Sequence, residues 1–332
     1  MDHSVLELGD VALDSGETLL SARLAYRTYG ELNAAADNVV VLPTFFTGTH
    51  RRNEGFFGPG RAIDPARHFV VSVNMFGNGL STSPSNAAAP QRGPRFPKVS
   101  LADNVRAGHR LLFEHLGVSR IALVAGWSMA GCQAYHWAAM YPDLVEAIVP
   151  VCASARTSVN NRVFLEGIKA ALLVDPYFSA GGGAPVAGLK AFARVYAGWA
   201  YSPEFFRDGH YRALGFGSAE ELLVDWERDH VDNWDAHDLL AKLWAWQHAD
   251  IGGLHGGDLV AALRAIRARA IVIGCPQDKY FSVEDNAFEA EHIPRGELRL
   301  YPSPLGHCVA GPGNDPAFAT FFDTAVRDAL GP

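Results

Sequence analysis

Cysteine is scarce in this 332-residue chain, basic charge is in deficit, and no long apolar run occurs. The four cysteines, Cys132, Cys152, Cys275 and Cys308, form no Cys-x-x-Cys pair. So few thiols in so long a chain argue against a disulfide scaffold and predict reduced, buried side chains. Lys and Arg number 28 against 36 Asp and Glu, a formal net charge of −8. A general nucleic-acid binder presents a basic face, so that class is not expected. A local pocket can still take an anionic substrate. No apolar stretch approaches the ~20 residues of a membrane span, so no membrane partner is expected. The opening MDHSVLELGD has no basic stretch leading into an apolar one; no secretion signal is expected, and the cytoplasm is the default compartment. His-Glu-x-x-His is absent and no Cys/His cluster has ligand spacing, so the metal expectation is none. Internal repeats and low-complexity linkers are also missing.

What is present is an ordinary globular composition, 48% hydrophobic and 19% charged. That supports a substantial core in one large α/β domain, or in one domain with an insertion. VLELGDVAL and LLSARLAYRTYG alternate apolar and polar residues and flank the turn DSGE, which predicts two antiparallel strands. NVVVLP, HFVVSVN, IALVAG and AIVPVCA are short apolar runs of buried-strand type. Helical periodicity at Leu101–Leu116 and after Ser128 separates the later ones. This alternation predicts a mostly parallel sheet with helices on both faces. From about 155 to 265 the pattern becomes helical and aromatic, with no clear buried strand. Strand patterns return in RAIVIG and ELRLY, and a last helix is expected from about Pro316 to Leu330. The expected division is a core of residues 1–154 and 266–332 with a helical cap of 155–265.

The stretch IALVAGWSMAG carries the chemistry. A buried strand ends at Gly126-Trp127-Ser128-Met129-Ala130-Gly131, and a helix follows at once. A serine at such a turn projects above the sheet edge where open α/β sheets bind ligands. Small flanking residues let the turn be sharp, and the helix N-terminus favours developing negative charge. The pattern is Gly-x-Ser-x-Ala; alanine adds one methyl at a crowded contact. A serine hydroxyl needs a base and a group to orient that base. In this order the acid comes first and the histidine last. Asp278 follows IVIG, with Glu284 and Asp285 as rivals, and His307 follows ELRLY. The oxyanion needs two backbone N–H donors. Met129 is one; Phe46 is the candidate for the other, with Phe45 as the alternative one residue away. Cys308, beside the base, is expected to pack. His50 shares the Phe46 loop and is the remaining histidine of interest. Gly58 and Gly60 resemble a nucleotide loop only superficially, because no strand leads directly into them.

The chain resembles the homoserine O-acetyltransferase family of α/β-hydrolase-fold proteins along nearly its whole length. The stretches that carry the resemblance include LAYRTYGELN, FFTGTH, NMFGNGLSTSPSN, GWSMAGCQAYHWAAMYPDLV and WDAHDLLAKLWAWQHADI. The resemblance implies a double-displacement acyl transfer. Ser128 takes the acyl group, His307 relays the proton, Asp278 holds the imidazole, and the cap forms a lid. It also allows a homodimer formed through that lid. The chain departs from the family where a zwitterionic acceptor would bind. Family transferases carry Tyr-Arg-Ser where this chain has Ala200-Tyr201-Ser202, and an aspartate where it has Cys308. The usual Gly-Gly-Ser is Gly126-Trp127-Ser128. Trp127 and Tyr201 are therefore expected to face substrate. The expected activity is hydrolysis of small or short-acyl carboxylic esters, as in the esterase-like members. No cofactor is expected. The alternative is an O-acyltransferase using an acyl-CoA donor and homoserine or another hydroxyl acceptor. A non-catalytic binding protein on the same fold is the remaining reading.

Overall fold

The structure, a computed structural model, describes residues 2–180 and 183–331. Eight strands form one sheet: β1 Ser4–Ala12, β2 Thr18–Tyr29, β3 Val39–Pro43, β4 Phe69–Val73, β5 Ile121–Trp127, β6 Ala147–Val151, β7 Arg269–Gly274 and β8 Gly296–Leu300. Their spatial order is β1-β2-β4-β3-β5-β6-β7-β8. β1 pairs with β2 and β2 with β4 in antiparallel fashion; every other pairing is parallel. This is the α/β-hydrolase arrangement that the sequence predicts.

The central strands are apolar on both faces because both faces are covered, the condition that parallel sheets require. Val40, Leu42, Leu123 and Val149 point to one layer, which includes Phe318, Phe322 and Val326 of the Pro316–Leu330 helix. Val39, Val41, Ile121, Val124 and Ile148 point to the other, with Val105, Leu111, Tyr135 and Trp137. The two-residue period of a strand produces this split, and a register shift in β5, where Val39 pairs with Ile121 and Val40 with Leu123, puts Ile121 and Leu123 on opposite layers.

Helices dominate between β6 and β7. The long ones are Val159–Leu173, Val186–Ala200, Ala219–Asn233 and Ala236–Gln247. Ser158, Ser218 and Asp235 cap three of them through side-chain oxygens, which satisfies backbone donors that a helix start leaves free. Their aromatics share one apolar cluster with strand residues, so this segment has no core of its own. Ile251, Ala262 and Leu263, at the end of the 155–265 stretch, instead pack in the layer beneath the opposite face of the sheet. Helical periodicity alone does not reveal that change of side. The helix expected over Leu101–Leu116 is regular only to His109 and continues as a wider π-helical turn, Arg110–His115.

Candidate active site

Ser128 stands between β5 and the Met129–Met140 helix with φ 59° and ψ −131°. A non-glycine residue at positive φ is strained, and such strain is found where a side chain has to be presented. The neighbours explain how the turn closes. A Cβ on Gly126 would lie 2.5 Å from the Ala130 Cβ, and one on Gly131 would lie 2.6 Å from the Ala153 Cβ. Ser128 N–H donates to the Val151 carbonyl at 2.9 Å, tying the turn to β6. Ser128 is 2% exposed, and its hydroxyl has no hydrogen-bond partner among the described residues.

Asp278 and His307 come from the loops after β7 and β8, at the same edge of the sheet. His307 Nδ1 donates to Asp278 Oδ2 at 2.8 Å. Asp278 Oδ1 accepts from the backbone N–H groups of Tyr280 (2.7 Å) and Phe281 (3.2 Å). These bonds fix the carboxylate, and the carboxylate fixes the imidazole tautomer and direction. The rival acids sit elsewhere: Glu284 and Asp285 lie in the first turn of the Val283–His292 helix, behind the Ser282 cap. Tyr280 and Phe281 rings flank the imidazole at 4.4 and 5.6 Å between centroids. Tyr280 and Phe281 escape a motif search, because their role begins with backbone N–H groups.

Ser128 and His307 open onto one cavity of about 640 Å³. Trp127 and Tyr201 also line it. Trp127 does more than form wall, since its indole Nε1 donates to the His307 carbonyl at 3.0 Å. Tyr201 stacks on Phe205 at 4.1 Å between ring centroids, and burial raises its phenol pKa well above the ordinary value. Cys308 lies on the same wall with its thiol pKa pushed up to about 12 by burial. At neutral pH it is a thiol rather than a thiolate nucleophile, in line with the packing role expected of it. Arg52, Asp225 and Asp229 put charge on the cavity wall that the sequence did not disclose.

The Phe46 loop is held by its carbonyls. The Thr44 carbonyl accepts from Gln133 Nε2 on the elbow helix at 2.9 Å. In a trans peptide C=O and N–H point oppositely, so the Phe45 N–H is directed away from that helix. The Phe45 carbonyl accepts from Gly48 N–H at 3.1 Å, which turns the Phe46 N–H away from the Gly48 turn. Neither Phe46 N–H nor Met129 N–H donates to a protein acceptor among the described residues. His50 is not part of the cavity wall: it is 1% exposed, its backbone N–H donates to Asn74 Oδ1, and its Nε2 lies 3.4 Å from Asp2.

Cys152, Asp278 and His307 could together offer three atoms to a metal. The donor set fits poorly: the carboxylate and Nδ1 are already bonded to each other, and burial holds the Cys152 thiol protonated, its pKa well above the usual value. No helix among the described residues is long and apolar enough to cross a membrane.

A family model described as alpha/beta hydrolase fold matches residues 37–192. The particular branch follows from individual relatives. The chain is 37% identical to an ethyl acetate hydrolase of Pseudomonas veronii, over 91% of this chain and 88% of that protein. It is 31% identical to a homoserine O-acetyltransferase of Zymomonas mobilis, over 84% and 83% of the two chains. The solved structure of the acetyl esterase MekB superposes with a TM-score of 0.95 at 35% identity, covering 99% of this chain and 96% of that one. The chain belongs to the α/β-hydrolase-fold family that contains these esterases and the homoserine O-acetyltransferases.

Proposed function

We propose that the protein hydrolyses small, short-acyl carboxylic esters through an acyl-enzyme on Ser128. The observation that carries the reading is the His307–Asp278 bond of 2.8 Å, set on the same cavity as a serine at a strained strand-to-helix turn. Ser128 Oγ attacks the ester carbonyl carbon while His307 Nε2 takes its proton. The N–H groups of Phe46 and Met129 receive the oxyanion. The intermediate collapses, the C–O bond to the alcohol breaks, and the alcohol leaves with the proton from Nε2. Water then attacks the acyl carbon, again giving its proton to Nε2; the bond to Ser128 Oγ breaks, Nε2 returns the proton to Oγ, and the acid departs. Asp278 orients the imidazole throughout. Trp127 and Tyr201 bound the space for the ester, and the helical segment from 155 to about 250 supplies its lid. Every proton and every donor in this scheme comes from the chain or from water, so the scheme requires no cofactor. The four free buried thiols fit a reducing compartment, the cytoplasm.

Water as the acceptor is supported by two positions. Tyr201 and Cys308 are neutral where the resembling transferases carry an arginine and an aspartate, and a zwitterion buried without charge partners is costly. The second reading, O-acyl transfer from acyl-CoA to homoserine or another hydroxyl, is favoured by the family relatives that bear that activity in their names and by the charged wall residues Arg52, Asp225 and Asp229. One experiment separates the two. The enzyme is acylated with p-nitrophenyl acetate, with Ser128→Ala as control, in the presence of homoserine, serine or a simple alcohol. Acetate as the main product whatever acceptor is added supports the esterase; O-acetylhomoserine as the main product replaces it with the transferase.

A further inference from the structure

Lys242 is a charged residue that the hydrolytic scheme leaves unused, and it is 1% exposed. It lies on the Ala236–Gln247 helix of the cap. A buried ammonium is costly unless its donors are engaged. Here Nζ donates to the Phe46 carbonyl at 2.6 Å, the one oxygen it bonds among the described residues. Nζ also stands 3.9 Å from the centroid of the Trp234 ring and 5.4 Å from that of Phe46, and aromatic faces attract a cation. Asp238, one helical turn earlier, directs its carboxylate elsewhere. Its Oδ1 accepts from Ser85 N–H at 2.8 Å and its Oδ2 from the Ser85 hydroxyl at 2.7 Å. Gly77 leaves room for the lysine stem: a Cβ there would lie 3.2 Å from Lys242 Cγ.

The bond falls at a consequential place. The Phe46 N–H shares its peptide with the Phe45 carbonyl, which Gly48 N–H holds; Lys242 holds the Phe46 carbonyl of the next peptide, so both peptide units that flank the Phe46 Cα are anchored. The Phe46 ring is packed by Phe192, Tyr196 and Trp246 at 5.6 to 6.1 Å between centroids. Apart from Gly48, each of these groups belongs to the segment between β6 and β7. We propose that Lys242 is a positioning residue that fixes the Phe46 N–H as an oxyanion donor from the cap side. The proposal rests on reading Phe46 as that donor. Burial pushes the Lys242 ammonium pKa well below its ordinary value, against the pull of Asp238, so the lysine is a poor choice for stability alone. An unbranched apolar side chain of the same length would suit that site better.

The test is Lys242→Met, read with a soluble acetyl ester and with a trifluoromethyl ketone whose serine adduct carries an oxyanion. Loss of a whole oxyanion donor costs about 100- to 1000-fold in kcat; a misplaced donor is expected to cost roughly 10- to 100-fold. The inhibition constant of the ketone should rise by the same factor as kcat/KM falls, KM should stay within about threefold, and Tm should be equal or higher. Lys242→Gln, which keeps a shorter neutral donor, is expected to lie between Met and wild type, and it carries the same reading if the Met variant melts below the assay temperature. A folded variant of either kind with unchanged kcat and unchanged ketone affinity overturns the proposal. So does a loss confined to KM. Failure of the underlying reading looks different: if Ser128→Ala still turned over the ester, the serine acyl-enzyme and its oxyanion donors would fall together, whatever the Lys242 variants showed.

Discussion

The two walls of the cavity are built on different principles. On the core side, Ser128, Asp278 and His307 sit in loops directly after β5, β7 and β8, and backbone geometry aims them. On the cap side, Tyr196, Tyr201 and Trp226 sit on or beside helices and are held by one another, with ring centroids 5.5 to 5.9 Å apart. On the core side, parallel strands fix where each loop begins. The cap side is a packed aromatic layer that a single substitution can reshape. Chemistry should therefore fail abruptly on one side and change gradually on the other.

The largest effect is expected from Ser128→Ala: no acyl-enzyme by mass spectrometry and a fall in kcat of about 10⁶-fold. Turnover near wild type would remove the mechanism. Asp278→Asn should cost about 10⁴-fold in kcat, since the amide presents a donor where His307 Nδ1–H needs an acceptor. Near-normal rates would return the role to Glu284 or Asp285. A paired measurement then compares the two walls directly. Trp127→Phe removes the indole donor from the His307 carbonyl and should lower kcat by about tenfold, the worth of one hydrogen bond, with little change in KM. Tyr201→Ala opens the cap wall and should raise KM by roughly three- to tenfold while kcat stays within about threefold. If both variants changed the same parameter, the distinction between the walls would be lost.

The smallest effect on rate is expected beneath the sheet. Glu289 accepts from the Tyr135 hydroxyl at 2.7 Å and from Ala155 N–H at 2.6 Å. Burial raises its carboxyl from 4.5 to about 8. A folded pKa above the unfolded one means that folding favours the protonated form, so its stabilising contribution is whole below about pH 4.5 and is lost as pH rises through about 8. Glu289→Gln should flatten the fall of Tm between pH 5 and pH 8, gaining on the order of 1 kcal/mol or more at the upper end, with kcat unchanged. An unchanged slope of Tm against pH would place the ionisation elsewhere.

The core side was legible in the sequence because the strands that place its loops are written locally. IALVAGWSMAG states a strand, a turn that tolerates only small neighbours, and a helix, and each is a local property. Asp278 and His307 were found because each lies in the loop that follows a late strand pattern, IVIG and ELRLY respectively. The cap side was not legible, since its function depends on which helix face meets which. Helical periodicity marked this stretch as helical, yet it gave no sign that Lys242 would reach Phe46, 196 positions away. Arg52 was missed because nothing local distinguishes it from Arg51, although only Arg52 lines the cavity. Tyr280 and Phe281 were missed because their contribution starts with main-chain N–H groups, which every residue except proline carries.

The indole of Trp127 has a consequence for how this pocket can change over generations. One side chain is both a piece of wall and the tether of the base, through its bond to the His307 carbonyl. Enlarging the pocket there removes one of the bonds that position the base in the same step. Tyr201 and Phe216 also border the cavity and hold no group of the base by hydrogen bond. New substrates are therefore open to lineages that vary the roof, while the residue next to the nucleophile is closed to them unless some other donor first takes over the tether.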